Sequence, residues 1–285
     1  MSPQSQDPII FLDTTLRDGE LMAGVSMTVL DKIEIAVLLE TMGVDAIEVG
    51  YPGQIEQDFE AVQEIAAQLK TATVCALAGA AEAEIVKAAA ALAPAQNARI
   101  HTYASVNLKT QAKRDRKSVL ATIQESVALA RTYCDDVEWT AFDATRSDPD
   151  FLCLAMENAI AAGATTINIA DSLGLASTEE FSQLMHLIFG RVSCGGETSS
   201  RENRTIISVH CHDDLGLAAA NSIAALHCGV RQLECSINGL GARKGNADLA
   251  SIVERLAQSP QYQIRLNTSL LPQLSQRVAQ TTATR

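Results

Sequence analysis

Ile206-Ile-Ser-Val-His210-Cys-His212-Asp-Asp214 reads as a strand that ends in two histidines. Successive side chains on a strand point to opposite faces, so His210 and His212 share a face while Cys211 takes the other. The two imidazoles then converge on one point. Neutral imidazole is the commonest protein ligand for a divalent metal, and a nearby carboxylate adds charge to such a site. A lone strand histidine is ordinarily a satisfied core residue. A pair at a strand end, followed by Asp213, Asp214 and a glycine, Gly216, that opens a helix, reads instead as a metal site.

Outward from this strand, short β-branched runs alternate with longer helical patterns. Strands are predicted over 9–16, 46–51, 72–77, 99–104, 137–142, 165–171, 206–213 and 232–237, with amphipathic segments at 31–42, 58–69, 117–133, 150–162, 178–189, 216–227 and 246–256. Eight strand-helix units in a chain of 285 residues fit a closed (β/α)8 TIM barrel better than an open doubly wound sheet. The barrel is expected to occupy 1–258. The remaining 259–285 reads as a short C-terminal helical extension with one apolar pattern at 270–278, either capping the underside of the barrel or beginning an accessory region cut short. Ser193 to Asn203, rich in Gly, Ser and charge, reads as an exposed loop.

Composition narrows the function classes. The chain is 47% hydrophobic, with a net charge of -12 and seven cysteines that form no Cys-x-x-Cys pair. This argues for reduced core thiols rather than a disulfide framework or thiolate zinc site. The negative charge argues against a nucleic-acid or anionic-membrane partner. No apolar run reaches the roughly 18–20 residues of a membrane span, and Met1 to Asp7 lacks the features of a signal peptide, so a cytoplasmic location is expected.

In TIM barrels the active site gathers at the C-terminal ends of the strands. Those ends carry Asp13, Arg17, Asp18, Glu20, Glu48, Asn168, Asp171, Ser172 and the histidine pair, with His101 on the fourth strand and Asn246 following the eighth. Barrel closure makes the first, seventh and eighth strands neighbours, so Asp18, His210, His212 and Asn246 can share one metal. Mixed oxygen and nitrogen donors suit Mg²⁺, Mn²⁺, Co²⁺ or Zn²⁺. The stretch Gly239-Leu-Gly-Ala-Arg-Lys-Gly245 lacks the dinucleotide-binding spacing. It reads as a tight turn that lets backbone amides and Arg243 or Lys244 approach an anion. The basic run Lys109, Lys113, Arg114, Arg116 and Lys117 is either a contact for the phosphates of a ligand or a solvated helix start.

LDTTLRDGE (12–20), IEVGYP (47–52), TTINIADSLG (165–174), HCHDDLGLAAANS (210–222) and NGLGARKGNADL (238–249) together resemble the metal-dependent Claisen-type barrel enzymes. That family includes 2-isopropylmalate synthase, homocitrate synthase and, more distantly, hydroxymethylglutaryl-CoA lyase. The resemblance implies Asp18, His210, His212 and Asn246 as metal ligands, with catalytic roles for Arg17 and Glu48. It places His101 in the pocket near the 2-oxo acid, Ser172 where a Thr binds the substrate carboxylate, and Asp13 behind the metal ligands. Acetyl-CoA is the implied co-substrate and a divalent metal the implied cofactor, Mg²⁺ or Mn²⁺ first. Family synthases often complete the site from a partner subunit, so a homodimer is expected.

Several positions depart from the family. Leu21 stands for Gln, Phe142 for a commonly found Glu, Ala170 for Pro, Ser172 for Thr and Ala242 for Glu. Leu21 and Phe142 add apolar surface while Ala170 and Ser172 remove bulk, on a wall to which Thr140 and Asn168 also belong. An apolar pocket discriminates by roughly 1–3 kcal/mol per methylene. The reading that leads is therefore a flat, apolar oxo acid, phenylpyruvate giving benzylmalate. The alternatives are 2-oxoisovalerate, or 2-oxoglutarate if Arg146 binds a second carboxylate rather than pairing with Asp143 or Asp148. A lyase and an inactive metal-binding relic are the remaining readings.

Overall fold

Eight short strands, β1 (Ile10–Asp13), β2 (Ala46–Gly50), β3 (Thr73–Ala78), β4 (Ala98–Ser105), β5 (Val137–Phe142), β6 (Thr166–Asp171), β7 (Ile206–Cys211) and β8 (Gln232–Cys235), form a closed barrel in sequential order. All are parallel, and β1 and β8 complete the ring with Leu12 opposite Glu234 and Asp13 opposite Cys235. The computed structural model describes residues 8–110, 115–193, 205–259 and 261–282. The loop expected at 193–203 and the basic residues Lys113 and Arg114 lie almost wholly outside them.

The outer ring holds α1 (Val29–Met42), α2 (Glu56–Gln68), α3 (Glu82–Leu92), α4 (Arg116–Tyr133), α5 (Pro149–Ala161), α6 (Thr178–Arg191), α7 (Ala218–Cys228) and α8 (Leu249–Ala257). Local chemistry starts them: Thr28 with Asp31, Asp115 with Ser118 and Ser177 with Glu180 form reciprocal caps, and Asp148 caps α5 ahead of Pro149. The sequence reading did not single out α3. Its alanine-rich turn, Ala88 to Ala91, gives little contrast between buried and exposed faces.

The strands alternate. Ile47, Val49, Ile100, Trp139, Ile167, Ile169, Val209 and Leu233 pack outward against the helices in the main core. The inward positions are different in kind. Leu12, Ala46 and Cys75 make a small apolar floor. Beside it, Arg99 donates to Glu138 (2.8 Å) and to Gln232 (2.7 Å), while Gln232 donates to Glu138 (2.8 Å) and Ser208 (2.9 Å). Hydrogen-bonded charge thus replaces the branched aliphatic layers usual inside such barrels.

The C-terminal extension folds as α9 (Leu271–Thr282). It does not simply cap the underside. Asn267 N donates to Met42 O and Arg265 to Asp45 at the lower rim, then α9 runs beside α1, burying Leu274 and Val278 and pairing Arg277 with Asp31 and Glu34. Asn238, just past β8, donates to Ser275 O, so the extension also braces a loop on the site side. Among the described residues no helix is long and apolar enough to cross a membrane.

Candidate metal centre and substrate cavity

The turn after β1 folds back on itself: Arg17 N and Gly19 N both donate to Thr14 O, and Thr15 Oγ1 accepts from Ile237 N in the loop after β8. Asp13 points to the helix side of the sheet, where its Oδ1 accepts from Thr15 N. Burial pushes the Asp13 carboxyl up to about 7. It shapes the turn and stands away from the cavity.

That turn carries Asp18 to the top of β7. His210 Nε2 lies 3.2 Å from His212 Nε2 and 3.9 Å from Asp18 Oδ2. Asn246 Nδ2 donates to Asp18 Oδ2 at 2.7 Å, leaving Asn246 Oδ1 buried without a hydrogen-bond partner. All four side chains are buried. Burial lowers both imidazoles, and with His210 alongside it takes His212 to about 4. Burial works to raise Asp18, but Arg17, His210 and His212 outweigh it and hold the carboxyl below the usual range. An ionised carboxylate, two neutral imidazoles and an unpaired amide oxygen in one corner fit a divalent cation of intermediate hardness.

The glycine-rich stretch positions Asn246. Gly245 has a φ of +102°, and a Cβ there would stand 2.0 Å from Gly239 O; at Gly241 a Cβ would meet Asn246 Oδ1 at 2.5 Å. Arg243 lines the cavity, with its Nε and Nη2 donating to Asp214 and to Ser172 O.

A chain of hydrogen bonds leads away from the cation corner. Arg17 bridges Asp18 (2.7 Å) and Glu48 (2.5 Å); Glu48 Oε1 meets His101 Nδ1 at 2.7 Å, and His101 Nε2 meets Thr140 Oγ1 at 2.5 Å. Asn168 Nδ2 also donates to Thr140, and Asn168 Oδ1 has no partner. Burial opposes charge on His101, yet Glu48 raises it to about 9. Despite its own burial, Glu48 is held below the usual range by Arg17 and His101. The pair is ionic.

Arg17, Asp18, His101, Thr140 and Asn168 form one wall of a cavity of about 670 Å³, with Glu48 buried behind them. Leu21, Val25, Met27, Ile55, Leu77, Phe142, Ala170 and Leu173 supply its apolar side. Phe142 tilts against Tyr103, with ring centroids 6.4 Å apart. Thr140, Asn168, Ser172 and His101 line the cavity too. Ser172 Oγ already accepts from Asp143 N, which leaves its proton and one lone pair to reach a ligand. Arg146 is corrected outright. It does not line the cavity, and its guanidinium is held by both carboxylate oxygens of Asp143 at 2.8 and 2.7 Å. Glu234 was missed: it lines the cavity floor and meets His210 Nδ1 at 2.6 Å. Burial, then neighbouring Glu138, pushes its carboxyl well above the usual range. The alternation of Gln232 and Glu234 with Leu233 and Cys235 was the available signal.

Fold and donor set together define a (β/α)8 barrel with a cluster of potential cation ligands at its C-terminal rim. Residues 8–278 match the family model described as HMGL-like, and the chain belongs to that family. A protein of Rhodopseudomonas palustris (strain BisB5) named 2-isopropylmalate synthase is 44% identical over 289 residues, covering 99% of this chain and 54% of its own. One of the same name from Afipia carboxidovorans is 47% identical, covering 88% and 48%. The chain thus spans about half the length of the curated relatives it matches. Among solved structures, the HMG-CoA lyase of Bacillus subtilis superposes with a TM-score of 0.81 over 98% of this chain and 95% of its own, at 18% identity. That likeness speaks for the fold.

Proposed function

We propose that the chain carries the catalytic barrel of an acyltransferase, with Asp18, His210, His212 and Asn246 as metal ligands, that condenses acetyl-CoA with a 2-oxo acid and releases CoA and a 2-substituted malate. The observation that carries this reading is the cation corner, with Arg17 beside it, opening on an apolar cavity of about 670 Å³. A divalent cation bound there would supply Lewis acidity to the ketone of a 2-oxo acid. The chain's own residues supply charge stabilisation and orientation. The acetyl methyl group gives up a proton, the enolate carbon bonds to the ketone carbon, and the ketone oxygen takes up negative charge and then a proton; water afterwards splits the thioester. Arg17, permanently charged and anchored by Asp18 and Glu48, stabilises that developing oxyanion. His101, held cationic by Glu48, keeps a proton at Nε2 facing Thr140 and so orients the Thr140 hydroxyl at the cavity wall.

The names of the two relatives support 2-oxoisovalerate as the oxo acid, in place of the phenylpyruvate that the substitutions alone favour. The exposed Phe142 ring beside Tyr103 supports phenylpyruvate as the second reading. Release of CoA from acetyl-CoA, followed with Mn²⁺ or Mg²⁺ across 2-oxoisovalerate, phenylpyruvate, 2-oxoglutarate and pyruvate, tests both. Metal-dependent release that is fastest with 2-oxoisovalerate is the expected result. Binding of the cation without release from any acid, or cleavage of hydroxymethylglutaryl-CoA instead, would overturn the synthase reading.

A further inference from the structure

The two histidines of the cation corner are held from behind by unlike groups. His212 Nδ1 faces the carbonyl oxygen of Gly245 at 3.3 Å, a long contact with a neutral acceptor. His210 Nδ1 faces Glu234 Oε2 at 2.6 Å, and both side chains are buried. Glu234 sits on β8 at an inward position, beside β7 and below the rim, so its carboxyl rises directly behind the His210 ring. Its other oxygen, Oε1, is buried with no hydrogen-bond partner. Glu138 is tied to Arg99 and Gln232, and Glu48 to Arg17 and His101, so neither competes for His210.

We propose that Glu234 is a positioning residue that locks the His210 imidazole with Nε2 aimed at the cation corner, by sharing one proton with Nδ1. With Nδ1 engaged by Glu234 Oε2, Nε2 is the nitrogen left to face a cation, and the group behind the ring fixes its aim and strengthens His210 as a donor. The arrangement makes His210 the stronger of the two imidazole donors and His212 the weaker, a difference in which the sequence motif itself treats the two alike. This rests on the cation reading of the proposed function and concerns which residue, outside the ligand set, governs affinity.

The test is direct titration of the metal-free protein with Mn²⁺, by calorimetry, for wild type, Glu234→Gln and Glu234→Ala. Alongside it, proton NMR of the Zn²⁺-loaded protein would follow the His210 Nδ1 proton. Glu234→Ala is expected to weaken Mn²⁺ binding by about 10- to 100-fold. Glu234→Gln, nearly the same shape and still able to accept from Nδ1, should retain the wild-type melting temperature, bind between the two, and move the Nδ1 proton resonance upfield. His212→Ala in the same titration calibrates loss of a direct ligand. Wild-type affinity and an unmoved resonance in a folded Glu234→Gln protein would overturn the role of Glu234 alone. Absence of Mn²⁺ binding by the wild type would overturn the cation reading and this inference together.

Discussion

His210 and His212 face each other through Nε2 atoms 3.2 Å apart, while each Nδ1 turns to an acceptor behind it. At that distance the two ring nitrogens share either a hydrogen-bond proton or a cation, since two bare lone pairs would repel. His212→Ala is therefore expected to weaken divalent-cation binding by at least about 100-fold, beyond what loss of a supporting residue costs, and to abolish turnover with it.

Arg17 should behave differently. It contacts Asp18 through the oxygen that Asn246 does not use, so Arg17→Ala is expected to leave cation affinity within a few fold while lowering kcat by about 100- to 1,000-fold. Isothermal titration and steady-state kinetics on the same preparation check both. Normal turnover in this variant would remove Arg17 from the chemistry.

The buried Glu48 and His101 pair makes stability depend on pH. The folded value for His101, about 9, lies above its ordinary 6.5, so the folded chain holds this proton more tightly than the unfolded one. The stabilisation is complete below pH 6.5 and is lost as pH rises through 9, and it amounts to about 3 kcal/mol. His101→Asn should lack that alkaline decline. Denaturant unfolding at intervals from pH 6 to 10 measures it, and a wild-type-to-variant difference that stays constant with pH would count against an ionic pair.

Lys32 is buried at 1% exposure and joins Asp58 (2.8 Å) to Glu20 (2.6 Å), tying α1 to α2 and to the loop after β1. Lys32→Met strands the Asp58 carboxylate and is expected to cost about 3–5 kcal/mol. Adding Asp58→Asn should recover part of that loss. Chemical denaturation of the single and double variants reads the difference, and additive losses would deny the coupling.

Substitution of Phe142 tests selectivity. Phe142→Ala opens the apolar wall beside Tyr103 and is expected to change kcat/KM for one apolar 2-oxo acid relative to another by about tenfold or more, with cation affinity unaltered. Equal changes for every acid tried would make Phe142 a general packing residue.

The barrel was legible because short β-branched apolar runs alternate with longer helical patterns, and eight such runs sit where the strands are. Strand ends such as Leu16 and Ile237 were read too long because the apolar pattern continues into turns shaped by Thr14 and Thr15. The histidine pair was legible from spacing alone. Glu234, Glu138 and Arg99 were not, since charge inside a barrel contradicts the usual apolar filling and only cross-barrel contacts reveal their partners. Arg146 could not be decided from sequence, where a structural partner three residues away and a distant substrate look the same.

Asn246 and Asp18 meet across 228 residues of intervening chain, and β1 and β8, the strands nearest them, meet only when the ring is complete. The contact is among the costliest in chain entropy that the fold makes, and no partly folded form lacking β8 can offer more than a fraction of the donor set. Ion affinity would then be a gauge of native topology: an ion that bound the finished ring and not its precursors would draw the last strand into place, and withdrawing it would loosen that strand first.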